Sequence, residues 1–159
     1  ALAKVVGKPS RMKADLKTVD VIENKNLPGG MQAQFAQALE GEGDNQIQNL
    51  EALKKEIQSA NKDEKIGTAL IVLAQARAYE KAGSWAQALP YYKQSVELDP
   101  SNANAHYHLG MALAHEKQMD EAVKQLKQAN EMNPQDDFAA KGLVDLTTPA
   151  KVDKNAEEI

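Results

Sequence analysis

The feature that most constrains this chain is an internal repeat. Residues 69–102 (ALIVLAQARAYEKAGSWAQALPYYKQSVELDPSN) and 103–136 (ANAHYHLGMALAHEKQMDEAVKQLKQANEMNPQD) align end to end without a gap. Seven positions are identical: Ala69/Ala103, Ala78/Ala112, Ala88/Ala122, Lys93/Lys127, Gln94/Gln128, Glu97/Glu131 and Pro100/Pro134. Self-similarity at a fixed period is the signature of stacked units, each burying its apolar face on its neighbours.

Each unit reads as two helices. In the first unit Val72, Ala76 and Tyr79 lie on one helical stripe, and Gly83-Ser84 interrupts it. Ala88, Tyr92 and Ser95 form the inner face of the second helix, which Asp99-Pro100 closes because proline cannot continue a helix. The next unit repeats the plan with His106, Gly110 and Leu113, then Ala122, Leu126 and Ala129, then Asn133-Pro134. Gly110 and Ala122 are small where two helix backbones must come closest. Trp85 and Met119 occupy equivalent places, and both are expected in the core between helices.

This spacing resembles the tetratricopeptide repeat, a helical pair recurring about every 34 residues. The pattern of that family is met by Ala76, Tyr79, Ala88, Tyr92, Ser95 and Pro100 in the first unit and by Gly110, Leu113, Ala122, Leu126, Ala129 and Pro134 in the second. Val72 and His106 replace its early tryptophan, and only Leu109 keeps its following leucine. The resemblance implies an all-α, right-handed α–α solenoid and a protein-binding role, and it leaves the partner unnamed.

Two units alone are marginal, so the flanks are expected to help. Residues 137–147 read as a capping helix with Phe138, Leu143, Val144 and Leu146 apolar. Upstream, Ile47, Leu50, Leu53 and Ile57 make an amphipathic stripe within 44–60, and residues 31–40 form a shorter helix ended by Gly41-Glu42-Gly43. This pair reads either as a degenerate repeat or as an independent packing hairpin. Lys62-Asp63-Glu64 then opens a long helix to Lys81. The domain is therefore expected over 30–147, behind a basic arm at 1–29 and ahead of a disordered tail at 148–159.

Composition supports a helical array. Hydrophobic residues make up 42% of the chain and aromatics only 4%, while 25 residues are alanine, the strongest helix former. The net charge of −4 is uneven: residues 1–25 carry +3, which leaves −7 on the rest. An acidic body excludes nucleic acid as its partner, because that affinity begins with phosphate neutralisation. The arm reads as a solvated tail or as a contact for an acidic partner or a membrane surface. Membrane contact is otherwise left to an anchor outside this sequence, since no apolar run approaches the roughly 18–20 residues a span needs. The chain opens with Ala1 and reads as a processed or excised segment, a setting that leans toward a bacterial envelope-associated protein, periplasmic or membrane-tethered. With no cysteine, thiol catalysis, disulfides and thiolate metal sites are excluded.

The three histidines do not assemble a metal site. His108 and His115 lie about 10 Å apart along a helix axis, and His106 and His108 point in nearly opposite directions. His106 reads as a core residue, and His108 and His115 as surface. The adjacent carboxylates Asp136-Asp137 and Glu157-Glu158 do not face one another across a cleft, and the glycine pairs lack a phosphate loop's lysine. The chain is read as a non-enzyme without cofactor.

What remains is a surface. In the family the first helix of each repeat lines a concave groove. The resemblance places Leu70, Leu73, Ala74, Arg77, Glu80 and Lys81 there from the first unit, and Asn104, Tyr107, His108, Met111, Ala114 and His115 from the second. Leu73, Tyr107 and Met111 would make an apolar floor, with Arg77 as a cationic anchor. The competing arrangement packs Leu70 and Leu73 on the upstream helices. One subgroup of the family clamps a C-terminal carboxylate with asparagines where this chain has Arg77 and His108, so that mode does not fit. The reading is a scaffold or adaptor holding a peptide or helix of a partner protein. The alternative is a self-assembly unit that builds a homo-oligomer through its solenoid ends or its N-terminal segment.

Overall fold

The computed structural model describes residues 32–61 and 63–147, so the basic arm and the tail lie outside the described residues. Among those residues seven helices follow one another: α1 Gln32–Glu40, α2 Gly43–Ala60, α3 Lys65–Lys81, α4 Trp85–Leu98, α5 Ala103–His115, α6 Met119–Met132 and α7 Asp137–Thr147. Each packs on the next in sequence, as in an all-α solenoid. Among the described residues no helix is long and apolar enough to cross a membrane.

The upstream pair forms as its apolar spacing predicts. α1 buries Phe35, Ala38 and Leu39, and α2 buries Leu50, Leu53 and Ile57. Gln46 Nε2 donates to the Leu39 carbonyl at 2.7 Å, tying the end of α1 to the start of α2. The pair shares one core cluster with α3, completed by Leu70, Ile71 and Ala74. Each fully buried Leu, Ile or Phe here contributes about 1.5–3 kcal/mol.

α3 is buried on most of its circumference, from Gly67 through Ala76 without a break. It starts at Lys65, with the Glu64 carboxylate accepting from Gly67 N at 3.0 Å. Its opposite side supplies Leu73 and Ala76 to a second cluster with Ala88, Leu89, Tyr92, Ala105, Leu109, Ala112, Leu113 and Ala122. α3 therefore joins the upstream hairpin to the two repeats as one stack.

Inside the repeats the expected inner faces are buried: Ala88, Tyr92 and Ser95 on α4, and Ala122, Leu126 and Ala129 on α6. The Ser95 hydroxyl donates to the Ala69 carbonyl at 2.9 Å. The turns are the same construction twice. Gly83 (φ 79°) and Lys117 (φ 63°) hold left-handed backbone at equivalent places in the two units. Ser84 N donates to Tyr79 O at 2.9 Å, and Gln118 N to Leu113 O at 2.8 Å, the six-to-one closure that ends a helix at a left-handed residue. α4 and α6 stop at Leu98 and Met132, immediately before Asp99-Pro100 and Asn133-Pro134. At Gly110 an added Cβ would lie 2.8 Å from Leu126 Cγ and 3.2 Å from Ala122 O, so the close approach expected there is real.

One expectation needs correction. Met119 is 46% exposed and not core. Its counterpart Trp85 is covered by the ring of His115, and the residue that would cover Met119 in the same way falls at 149, outside the described residues. The structure also places Pro90 inside α4, where it sits exposed and donates nothing to the ladder.

Candidate functional site

α3 and α5 are first helices of successive repeats. Between them Arg77, Glu80, Tyr107 and His108 meet, with Tyr92 joining from α4. Arg77 Nη1 donates to His108 Nε2 at 2.8 Å. That nitrogen must therefore be an acceptor, which puts the ring proton on Nδ1 and leaves the imidazole neutral. Burial, and secondly the Arg77 charge, hold the His108 pKa well below its ordinary value.

Glu80 Oε2 ties the cluster together. Arg77 Nε lies 3.4 Å from it, and the Tyr92 hydroxyl donates to it. His108 Nδ1 stands 3.7 Å away, beyond hydrogen-bond reach, and has no partner of its own. The imidazole stacks on Tyr92 (centroids 5.8 Å, 11° between planes) and meets Tyr107 edge-on (5.0 Å, 72°). Burial, then the Glu80 and Asp136 carboxylates, push the Tyr107 phenol up. The guanidinium of Arg77 is thus already occupied by the chain itself. The two positions that clamp a carboxylate in the subgroup described above are bonded to each other here.

The remaining groove residues fall into three groups. Leu73 is 2% exposed and belongs to the second core cluster, so it packs and offers no floor. Leu70 and Ala74 are covered by the upstream hairpin. Lys81 and His115 stand exposed at the ends of α3 and α5, with the His115 ring stacked on Trp85 at 4.6 Å. Asn104 and Met111 are half-buried; Asn104 borders Tyr107 and Asp136 around a void of about 10 Å³.

α7 adds surface that the sequence reading assigned only to capping. It begins where a third unit in the same frame would begin, and it occupies the place of a further first helix. Phe138 then corresponds to Asn104, and Asp145 to Met111 and Arg77. The Phe138 ring lies 6.3 Å from that of Tyr107, and Gly142 is buried against Leu126 with Met111 Sδ close by. The signal for this was arithmetic: the frame set by units starting at 69 and 103 runs on to residue 137.

Elsewhere the histidines stay apart. His106 is 2% exposed, its Nε2 2.8 Å from the Pro100 carbonyl and its Nδ1 2.7 Å from Gln125 Oε1, the core role expected of it. Among the described residues no group of three or more His, Asp or Glu side chains is placed to hold a metal ion. A second concavity of about 580 Å³ opens between α2, α3 and α4, beside Ile47, Lys55 and Tyr91. Along its wall the buried Gln75 donates to Glu51 Oε2 at 2.9 Å, and Lys54, also bonded to Glu51, holds that carboxylate below its usual range. A glutamine within the apolar run of α3 was the available clue.

Paired helices in a repeating frame, closed by matching left-handed turns, match the sequence profile of the tetratricopeptide repeat over residues 73–137. This stretch belongs to the tetratricopeptide repeat family. Among curated proteins, sperm-associated antigen 1 of Mus musculus is 28% identical over 92 residues, 58% of this chain. The matched part is only 10% of that protein's length. Among solved structures, the first tetratricopeptide domain of Spaghetti (RPAP3), bound to the HSP90 peptide SRMEEVD, superposes with a TM-score of 0.55 at 18% identity. That match covers 82% of this chain and 90% of the other. A mutant of MamA gives 0.55 at 17% identity, covering 91% of this chain and 86% of its own. At these identities the likeness is one of fold, and it extends beyond the two matched repeats.

Proposed function

We propose that this chain is a non-catalytic scaffold or adaptor that holds a peptide or helix of a partner protein along the groove of α3, α5 and α7. A protein-interaction role follows from the tetratricopeptide fold, whose Spaghetti relative carries a bound peptide. The observation that supports the groove is the alignment of three first helices in one frame. Arg77, Met111 and Asp145 fall at matching positions on the three, with Glu80 on the first, Tyr107 and His108 on the second and Phe138 on the third beside them. Tyrosine and arginine are enriched among the residues that dominate binding energy at protein interfaces. The internal Arg77–His108 bond favours a partner anchored by apolar or aromatic side chains over one anchored by a terminal carboxylate.

The test is affinity capture with the full chain, Tyr107→Ala in the groove and Gln94→Lys on the exposed side of α4. A partner kept by the wild type and by Gln94→Lys but lost by Tyr107→Ala supports the groove. Loss with Gln94→Lys alone moves the site to the other face of the solenoid.

A second reading has its own observation. Met119, Met132 and Val144 are exposed at the C-terminal end, at 46%, 39% and 60%. Self-association through that end predicts a mass by light scattering that rises with concentration; a constant monomer mass excludes it.

A further inference from the structure

The concavity between α2, α3 and α4 is separate from the groove: none of its lining residues belongs to the groove surface of α3, α5 or α7. At about 580 Å³ it has the size of a ligand site, apolar in part with a few convergent polar groups. Ile47, Ala52 and the Lys54 and Lys55 stems of α2 face Tyr91 of α4, whose ring packs on Tyr79 at 5.2 Å. Between these walls lies Gln75 of α3, 0% exposed.

Gln75 is the informative residue. Its neighbour Glu51, with a carboxyl held below its usual range, is ionised and only accepts. The amide nitrogen must therefore face Glu51 Oε2, at 2.9 Å, which leaves the carbonyl Oε1 over. That oxygen is buried and has no hydrogen-bond partner. A buried acceptor left unpaired costs free energy, and native folds rarely keep one without a use for it. The terminal torsion of glutamine is broad, so Oε1 turns toward a donor brought into the concavity.

Charge and shape narrow the occupant. Lys54 is bound to Glu51 at 2.7 Å, whereas Lys55 stands exposed with no ion pair to another described residue. From Ile47 to Lys55 the wall runs about 12 Å along α2 at 1.5 Å per residue, the span of roughly four residues of extended chain.

We propose that this concavity is a second docking site, for an extended acidic segment of a partner protein. A backbone N–H of the segment donates to Gln75 Oε1, its apolar side chains lie on Ile47 and Tyr91, and its carboxylate meets Lys55. An extended segment has backbone donors to give, whereas a helix spends its own internally. With the groove occupied as well, the chain bridges two partners.

The test is a titration of the full chain, labelled with ¹⁵N, by the peptide acetyl-Leu-Glu-Leu-amide and by its Leu-Lys-Leu counterpart. The acidic peptide should move the Gln75 side-chain amide signals and the Ala52 and Lys55 backbone signals saturably. It should bind about fivefold tighter than the basic one, the scale of an exposed ion pair. Lys55→Glu, at an exposed site, should reverse that preference, and Gln75→Met should weaken the acidic peptide by about fivefold. Equal binding of the two peptides, no saturable shift with either, or a preference unchanged in Lys55→Glu would overturn the proposal. Shifts centred on Tyr107 and Met111 would overturn it too, while leaving the groove reading in place.

Discussion

The first repeat closes the turn between its helices with Gly83 and the second with Lys117, yet both residues hold left-handed backbone. The close approach of paired helices uses Ala76 in one and Gly110 in the other. The inner face of the second helix carries Tyr92 in one and Leu126 in the other, both 0% exposed. At these places the backbone dictates and the residue types yield only a little. Along the groove the repeats part company: Leu73, Ala74 and Arg77 in one correspond to Tyr107, His108 and Met111 in the other. Shared geometry with divergent surface is what a binding solenoid requires, and the divergence follows burial. The first repeat has the upstream hairpin over Leu70 and Ala74, so its groove residues have become core. The second is only half covered where Asn104, Tyr107 and Met111 stand.

Exchanges between the repeats would break or sharpen this comparison. The largest effect is expected at the inner face, where Tyr92→Ala should cost about 3–5 kcal/mol by urea denaturation. Leu126→Ala should cost about 2–5 kcal/mol, and Tyr92 should be the costlier because its hydroxyl also serves Glu80. Next comes the close approach. Gly110→Leu should lose about 1–3 kcal/mol through overpacking on Leu126, whereas Ala76→Gly should lose about 1 kcal/mol of helix propensity. At the turns the exchange should have opposite signs: Gly83→Lys destabilises and Lys117→Gly stabilises, each by about 1 kcal/mol. Equal effects of one sign at both turns would show that the turns are not equivalent.

The smallest effect concerns pH. His108 is faced by Arg77 and Glu80 from α3, Tyr92 from α4 and Tyr107 from its own helix. Its folded pKa is depressed below an ordinary value of about 6.5. The unfolded chain therefore takes up a proton at 108 before the folded chain does. The contribution of the neutral ring is complete above that ordinary value and is lost as pH falls from there toward the folded value. Urea midpoints measured near pH 7 and near pH 5.5 should differ less in His108→Gln than in the wild type.

How much of this was legible in the sequence depended on whether the determining contact lay within the repeat frame. The helix pairs, the stops before Pro100 and Pro134, and the buried faces of α4 and α6 follow from periodicity and from proline's missing donor. The small residue at 110 was readable for the same reason. Met119 failed because the cover over Trp85 comes from the following unit, so equivalence of position did not carry equivalence of burial. α7 was read as a cap because its apolar residues were considered alone; the frame places it as a further first helix. The Arg77–His108–Glu80 contacts could not be read at all. They join side chains from neighbouring repeats, and periodicity specifies which face a residue occupies, not which of its neighbours takes its hydrogen bond. Arg77 consequently appeared as a free anchor, and the structure shows it engaged. The Gln75–Glu51 contact escaped for the same reason.

The most direct measurement of the account's central claim is site-specific photocrosslinking in the full chain within its native lysate. A photoreactive residue at 111, in the groove, is compared with one at 128, on the exposed side of α6. The account predicts a discrete crosslinked partner from 111 and none from 128. The same partner captured from 128 and not from 111 would contradict it, because the face that binds would then not be the one formed by α3, α5 and α7.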